Sequence, residues 1–474
     1  MLTVESLTFT HALSPKKALD GVGFSLPAGT ALLVTGPSGS GKSTLLSILA
    51  GLAPRFLKGK LEGSVFLDGK APGELRHWSS DVGFMTQNPE CQFLAGNVED
   101  ELYLTLRCRN ISGQAAAELV DEALKTFSLE SVRSQSVFNL SEGQKQRVVL
   151  AALTSLKPKV LLLDEPSANL DPPALEQLAE ILKKIEGLGV SLIIADHRLA
   201  WLTGVCRKIL VLDEGRVAGE GDWEWLSDDQ TRAGLGLRSV GRCSSKRTSS
   251  NPSNSRQNSL GEGVAAKNLT FSYYKGPIII NDLSFKLTYG TVTVLLGKSG
   301  LGKTTLARLL CGLEKPLNGE ILFDGEKEPG PHGQVVLQNS DHQLYMPSVL
   351  EEVNVALSQG RRGARDDQKA LEVLSAFGLA DLAKRHPQSL SGGEKQRLVV
   401  AVGLARPTRL VVLDEPTSGL DGRNLSLMSR QIIKSAQSGP AVLVITHDLE
   451  LVELVAQDVI NLDEVLQSPR ELLT

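Results

Sequence analysis

One set of short motifs occurs twice in this 474-residue chain, in the same order and at nearly the same internal spacing, so any fold that serves one half must serve the other. Gly36-Pro37-Ser38-Gly39-Ser40-Gly41-Lys42-Ser43 and Gly297-Lys298-Ser299-Gly300-Leu301-Gly302-Lys303-Thr304 both fit GxxxxGK[ST], and they continue into Thr44 and Thr305. Each follows a β-like apolar run, Ala31 to Val34 and Val292 to Leu296, and precedes an apolar helical stretch. In that context the glycines let backbone N–H groups close around phosphates at a helix N-terminus, the lysine meets the β/γ-phosphates, and Ser43 or Thr304 meets magnesium. Downstream, Ser141 to Asp164 and Ser391 to Asp414 are both 23 residues apart, Glu165 to His197 and Glu415 to His447 both 32, and Glu165 to Asp171 and Glu415 to Asp421 both 6. The copies are offset by 261 residues at Lys42 and Lys303 but by 250 at Ser141 and Ser391, so the second lacks about one short loop, lost before Gln338.

Length alone allows two to four domains, and the repeat selects two: 1–238 and 264–474. Between them, 239–263 is rich in Ser, Asn and Arg and reads as a disordered tether, which as a flexible coil spans roughly 25–30 Å. Fifty basic against 54 acidic residues, a formal net charge of −4, give no bulk drive toward nucleic acid. Cys91, Cys108, Cys206, Cys243 and Cys311 form no CxxC or metal spacing, which points to a reduced compartment and against cysteine catalysis. No apolar run is long enough to span a bilayer and the N-terminus lacks a secretory pattern, so the expectation is a peripheral protein that meets a membrane through partners, at its cytoplasmic face. Trp223 and Trp225 read as packing at the end of the first domain, and the charge run Arg361 to Asp367 as a solvated loop and helix start.

The runs Val160 to Asp164 and Leu410 to Asp414 each end in an acid pair followed by proline, Asp164-Glu165-Pro166 and Asp414-Glu415-Pro416. Ligands collect at the C-terminal edge of a parallel sheet, so these acids are expected beside the phosphates. Asp164 and Asp414 suit magnesium coordination, and Glu165 and Glu415 suit polarisation of the attacking water. Phosphoryl transfer needs alignment and charge neutralisation more than covalent help. His197 and His447, each after a β-like run, are placed to hydrogen-bond the γ-phosphate or the water.

Leu140-Ser141-Glu142-Gly143-Gln144 and Leu390-Ser391-Gly392-Gly393-Glu394 complete the set and resemble the LSGGQ signature. With these motifs in order, both halves resemble ATP-binding cassette ATPases. The resemblance implies an α/β fold: two tandem P-loop NTPase domains, each with a mostly parallel sheet core, an antiparallel β subdomain and a helical subdomain. It implies ATP and Mg²⁺ as ligands, and two halves paired head to tail within one chain. One site would join the Lys42 loop to Ser391, Gly392 and Gly393; the other would join the Lys303 loop to Ser141, Glu142 and Gly143, with the D-loop acids Asp171 and Asp421 alongside. Glu142 departs from the signature by placing an acid near triphosphate, and it adds repulsion unless it points outward. The family's adenine-stacking position falls at Tyr273, 24 residues before Gly297, and at His11, 25 before Gly36.

The glutamine loops begin Gln87-Asn88-Pro89-Glu90-Cys91-Gln92 and Gln338-Asn339-Ser340-Asp341-His342-Gln343, each followed by large apolar residues. Gln87 and Gln338 are expected to reach magnesium and the water while the rest faces a transmembrane partner. These loops, with Ala195-Asp196-His197-Arg198-Leu199, resemble the fused ATPases of energy-coupling factor importers, which take up vitamins, cobalt or nickel. The resemblance implies an integral membrane scaffold subunit and a small substrate-binding membrane subunit as partners, and no nucleic acid. Tandem translation factors on ribosomes join their halves by a long charged helical linker, unlike the tether here. The glutamine loops do not favour a sugar importer, and the intact Glu–His sets argue against a nucleotide sensor without hydrolysis.

Overall fold

The computed structural model of this chain describes all residues except 13, 72–77, 79, 242–262, 275, 328–332, 339–342, 359–364 and 468–474. Most of the expected tether, Cys243, four glutamine-loop residues (Asn339, Ser340, Asp341, His342) and Arg361, Arg362, Gly363 and Ala364 of the charge run lie outside the described residues. The chain divides into two compact units, one on Met1–Arg242 and the other on the chain that follows.

In the first unit the strands are β1 (Leu2–His11), β2 (Lys17–Leu26), β3 (Ala31–Thr35), β4 (Gly59–Leu67), β5 (Val82–Met85), β6 (Val160–Asp164), β7 (Ser191–Ala195), β8 (Lys208–Asp213) and β9 (Arg216–Gly221). β2, β1 and β4 form an antiparallel sheet in that order; the central sheet runs β5-β6-β7-β3-β8-β9, parallel except for β9. The apolar runs of the central strands do not alternate with polar residues because both faces are covered. Leu161 and Leu163 enter a core shared with the helices Val98–Arg107, Gln114–Thr126, Glu142–Ser155 and Pro172–Gly187, whereas Val160 and Leu162 enter a second core with the antiparallel sheet and the helix Lys42–Leu49. Truncating one of these fully buried leucines to alanine costs about 2–5 kcal/mol.

The second unit repeats this plan with β10 (Val264–Ser272), β11 (Ile278–Leu287), β12 (Val292–Leu296), β13 (Asn318–Phe323), β14 (Gln334–Val336), β15 (Leu410–Asp414), β16 (Ala441–Ile445) and β17 (Asp458–Asn461). The antiparallel sheet is β11-β10-β13, and the central sheet β14-β15-β16-β12-β17 is wholly parallel. Three helices, Val349–Ser358, Asp367–Ala376 and Gly392–Ala405, lie between β14 and β15, matching the helical insertion between β5 and β6. Part of the residue loss before Gln338 is visible here: β13 has 6 residues where β4 has 9.

The two central sheets end differently, and one residue accounts for it. In the first unit Glu214 and Gly215 have φ of 46° and 80°, and Asp213 pairs with Arg216 across them. Two successive positive φ angles make the tight hairpin that returns β9. The corresponding run Leu462-Asp463-Glu464-Val465 puts a β-branched residue where that glycine stands. Val465 disfavours positive φ, and the chain instead enters the helix Leu462–Gln467.

Candidate functional site

Both GxxxxGK[ST] segments lie where expected, leaving a central strand and entering a helix, Lys42–Leu49 after β3 and Lys303–Leu310 after β12. The tightness of the first loop explains its glycines. Gly36 has φ 145°, and a Cβ there would sit 1.9 Å from the Leu212 carbonyl oxygen; at Gly41, φ 101°, it would sit 2.5 Å from the Ala18 carbonyl oxygen. Lys42 is buried, and its ammonium donates to the carbonyl oxygens of Gly36 (2.9 Å) and Pro37 (3.0 Å); Lys303 does the same to Gly297 (2.7 Å) and Lys298 (2.8 Å). Burial pulls the Lys42 ammonium below its ordinary range, while the charge of Glu165 pulls it back up.

The strand-end acids reach these loops. The Ser43 hydroxyl donates to Asp164 Oδ1 at 3.1 Å and the Thr304 hydroxyl to Asp414 Oδ2 at 2.6 Å. One hydroxyl and one carboxylate on adjacent elements are hard oxygen donors of the kind magnesium uses alongside phosphate oxygens and water. Burial raises both Asp164 and Asp414 above the usual carboxylate range, and the Ser43 and Thr304 bonds oppose that rise.

Glu165 and Glu415 carry a backbone feature that sequence reasoning missed. Both are left-handed, with φ of 48° and 49°, and their amides donate to the last residue of the neighbouring strand, to Ala195 O at 2.7 Å and Ile445 O at 2.8 Å. Non-glycine residues in this region cost on the order of 1–3 kcal/mol, and here the turn lies at the sheet edge beside the phosphate loops. Burial, then the charges of Asp164 and Asp196, push Glu165 up to about 8. His197 Nε2 lies 3.5 Å from Glu165 Oε1, and burial holds the imidazole well below its ordinary range and therefore neutral, with one N–H to offer. In the second unit His447 Nε2 stands 4.0 Å from Glu415 Oε1.

The glutamine loops sit on the same edge. Gln87 Nε2 donates to Glu165 Oε2 at 2.8 Å, and Gln338 follows β14 as an exposed residue. Beyond them, Leu94 is 78% exposed and Tyr345 76% exposed. The buried Glu101 carboxylate accepts the amides of Leu94 (2.9 Å) and Ala95 (2.7 Å), and Glu352 accepts those of Tyr345 and Met346. The repeated acid seven residues after each exposed apolar residue was the available sequence signal, and it was not read.

Ser141 and Ser391 each cap a helix, Glu142–Ser155 and Gly392–Ala405. Each capping box is closed by the last signature residue, Gln144 or Glu394, whose side chain accepts from the serine amide at 2.9 or 2.8 Å. That role makes Glu394 an ordinary substitution. Glu142 is turned aside: Lys145 Nζ donates to its Oε1 at 2.8 Å and also to Glu90 of the glutamine loop. Burial alone would lower Lys145, but the bonds to Glu142 and Glu90 outweigh it and hold the ammonium above its ordinary range. The backbone accepts a side chain there, since a Cβ at the matching Gly392 meets nothing within 4 Å. Asp171 caps the helix Pro172–Gly187 through Ala174 N (3.0 Å), and Asp421 precedes the helix Gly422–Gln437.

His11 and Tyr273 occupy equivalent places. His11 Nε2 lies 3.4 Å from the Thr44 hydroxyl and Tyr273 Oη 3.4 Å from the Thr305 hydroxyl. Each ring also stands edge-on to the phenylalanine two residues before it, Phe9 at 4.9 Å and Phe271 at 5.0 Å. Trp223 donates to Cys206 O at 2.6 Å and Trp225 covers Gly219 and Gly221, both as packing.

A family model described as ABC transporter matches residues 19–168 and 280–418. A putative ABC transporter ATP-binding protein of Treponema denticola is 32% identical over 98% of this chain and 95% of its own length. A putative HMP/thiamine import ATP-binding protein of Bacillus subtilis is 32% identical over 98% of this chain and 90% of its own. Among solved structures, an archaeal ribosome recycling factor in complex with a ribosomal stalk protein aligns with TM-score 0.65 at 21% identity, over 96% of this chain and 87% of that one; at that identity the likeness shows fold alone.

Proposed function

This chain belongs to the ABC transporter family and is an ATPase of it, and from that premise we propose that it is the energy-coupling subunit of an importer of the energy-coupling factor type, driving uptake of a vitamin, a vitamin precursor, cobalt or nickel through separate membrane subunits. The observation that carries this reading is the exposed apolar residue after each glutamine loop, Leu94 and Tyr345, held outward by a buried carboxylate one helical turn inside the following helix. An apolar side chain fixed in that way suits burial against a partner. The relative whose name records HMP/thiamine import supports the vitamin-precursor branch. Among the described residues no helix is long and apolar enough to cross a membrane, so the transport path belongs to partners, a membrane scaffold and a small substrate-binding membrane protein, at whose cytoplasmic side this chain acts.

In this reading the chain's residues divide the work. The loop amides from Gly36 to Ser43, and from Gly297 to Thr304, hold the phosphates; Lys42 and Lys303 exchange their carbonyl bonds for phosphate oxygens. Ser43 with Asp164, and Thr304 with Asp414, would hold Mg²⁺, which supplies neutralisation of phosphate charge when bound. Glu165 and Glu415 orient the attacking water and, in their ionised form, take its proton, and the neutral His197 offers an N–H toward the reacting phosphate. Gln87, bonded to Glu165, links that carboxylate to the segment that meets the partner.

The test is affinity purification of the full chain from detergent-solubilised membranes, with co-purifying proteins identified by mass spectrometry and ATP turnover measured on the eluate. A stoichiometric pair of polytopic membrane proteins supports the importer. Ribosomal proteins without membrane proteins would overturn it.

A further inference from the structure

The two units solve one positioning problem from opposite sides of their histidine. In the second unit the run is Thr446-His447-Asp448, and the buried Asp448 Oδ2 accepts the Thr417 hydroxyl at 2.8 Å. In the first unit it is Asp196-His197-Arg198, and the buried Asp196 Oδ1 accepts the Ser167 hydroxyl, also at 2.8 Å. Ser167 and Thr417 are equivalent, each three residues after the strand-end aspartate, Asp164 or Asp414. The carboxylate therefore stands before the histidine in one unit and after it in the other, yet it reaches the same hydroxyl.

The swap changes what holds the neighbouring glutamate. The Thr446 hydroxyl donates to Glu415 Oε2 at 3.0 Å while its oxygen accepts the Asp448 amide at 3.0 Å, and the His447 amide donates to Glu415 Oε1 at 2.9 Å. Where Thr446 stands in the second unit, the first has Asp196, which also takes the amides of Ser167 (3.2 Å) and Arg198 (2.8 Å), and Glu165 receives Gln87. Arg198, in the place of Asp448, donates to the Ser167 and Leu170 carbonyl oxygens and closes the same turn from the other side.

We infer that Asp196 and Asp448 are positioning residues of one kind: each ties the turn after the catalytic glutamate to the histidine segment, and either side of the histidine serves. Asp448 acts on the turn and not through a bond to the GxxxxGK[ST] loop, so its loss is expected to fall on kcat more than on the binding of ATP. The inference rests on the ATPase assignment, not on the importer reading.

The test measures ATP turnover of the full chain carrying Asp448→Ala, Asp448→Asn, or the transplanted pattern Thr446→Asp/Asp448→Arg, each in the wild-type chain and in the Glu165→Gln background. Expected in that background is a loss on the order of ten- to hundred-fold in kcat for Asp448→Ala with KM changed less than about twofold. The transplanted pattern raises kcat at least about threefold above that of Asp448→Ala, short of full recovery because Thr446→Asp also removes the hydroxyl that donates to Glu415 Oε2. If the background is itself silent, the units are coupled and the same series in the wild-type chain shows the full effect. If Asp448→Ala does not fold, Asp448→Asn decides, because its amide oxygen keeps the Thr417 bond and most of the turnover. A transplant no better than Asp448→Ala, or a loss carried by KM, overturns the inference.

Discussion

Set side by side, the two units keep the same side-chain pairs around the GxxxxGK[ST] loops and change what stands behind them. The hydroxyl–carboxylate pairs Ser43–Asp164 and Thr304–Asp414, the left-handed glutamates and the lysines bonded to loop carbonyls recur in both. The supports differ: a hairpin against a helix at the sheet edge, Gln87 against Thr446 on the glutamate, an acid against a glycine in the signature. The groups proposed to meet nucleotide are constrained by the chemistry of phosphoryl transfer, whereas the groups that brace them differ between the units.

The largest expected effect tests whether the units contribute equally. Glu165→Gln/Glu415→Gln together remove both carboxylates proposed to orient the water and are expected to lower kcat by about 10²–10⁴-fold. Each single substitution, if the units turn over independently, removes only its own share of the steady-state rate. A single substitution as severe as the double shows that the units fire as one.

Next comes the sheet edge. Gly215→Val forces a β-branched residue to φ 80° and places a Cβ 2.8 Å from the Ala18 carbonyl oxygen, so the first unit loses about 3 kcal/mol in urea unfolding. Val465→Gly in the second unit meets no such geometry and costs about 1 kcal/mol, the helix propensity of glycine. Equal losses would mean that Gly215 is not what separates the two edges.

A smaller effect separates the signatures. Lys145→Met leaves Glu142 and Glu90 without the cation they share, and turnover is expected to fall about tenfold, since removing the shared cation of a partly buried cluster costs on the order of 1–2 kcal/mol. Glu142→Gly in the same chain removes one of the two acids left without that cation and is expected to restore part of the turnover. No rescue would show that Lys145 acts through packing instead of charge.

How much of this was legible beforehand follows from what each feature depends on. The strands that end in Asp164 and Asp414 and the helices entered at Lys42 and Lys303 were readable because unbroken apolar runs and glycine spacing are local signals, whereas the two-sheet plan came from the family resemblance. The left-handed φ of Glu165 and the turning of Glu142 toward Lys145 were not, because they depend on partners 30 and 55 residues away, Ala195 for the one and Glu90 for the shared lysine. The different final strand follows from one aligned pair, Gly215 and Val465, since a glycine permits the hairpin that a β-branched residue disfavours.

The smallest expected effect concerns the two rings before the phosphate loops. His11 and Tyr273 occupy matching positions, each against the threonine hydroxyl that follows the loop. Stacking on a nucleobase contributes roughly 1–3 kcal/mol and grows with ring area, so His11→Tyr is expected to tighten ATP binding to the first unit by a few-fold. Tyr273→His should weaken binding to the second by a similar factor. The two changes are separable by labelling each unit with a photoreactive ATP analogue and quantifying the two halves after proteolysis in the 239–263 segment. If the double exchange merely swaps the two affinities, ring identity is the whole difference between the proposed base sites; if both affinities fall, the edge contacts with Phe9 and Phe271 select the native ring in each unit.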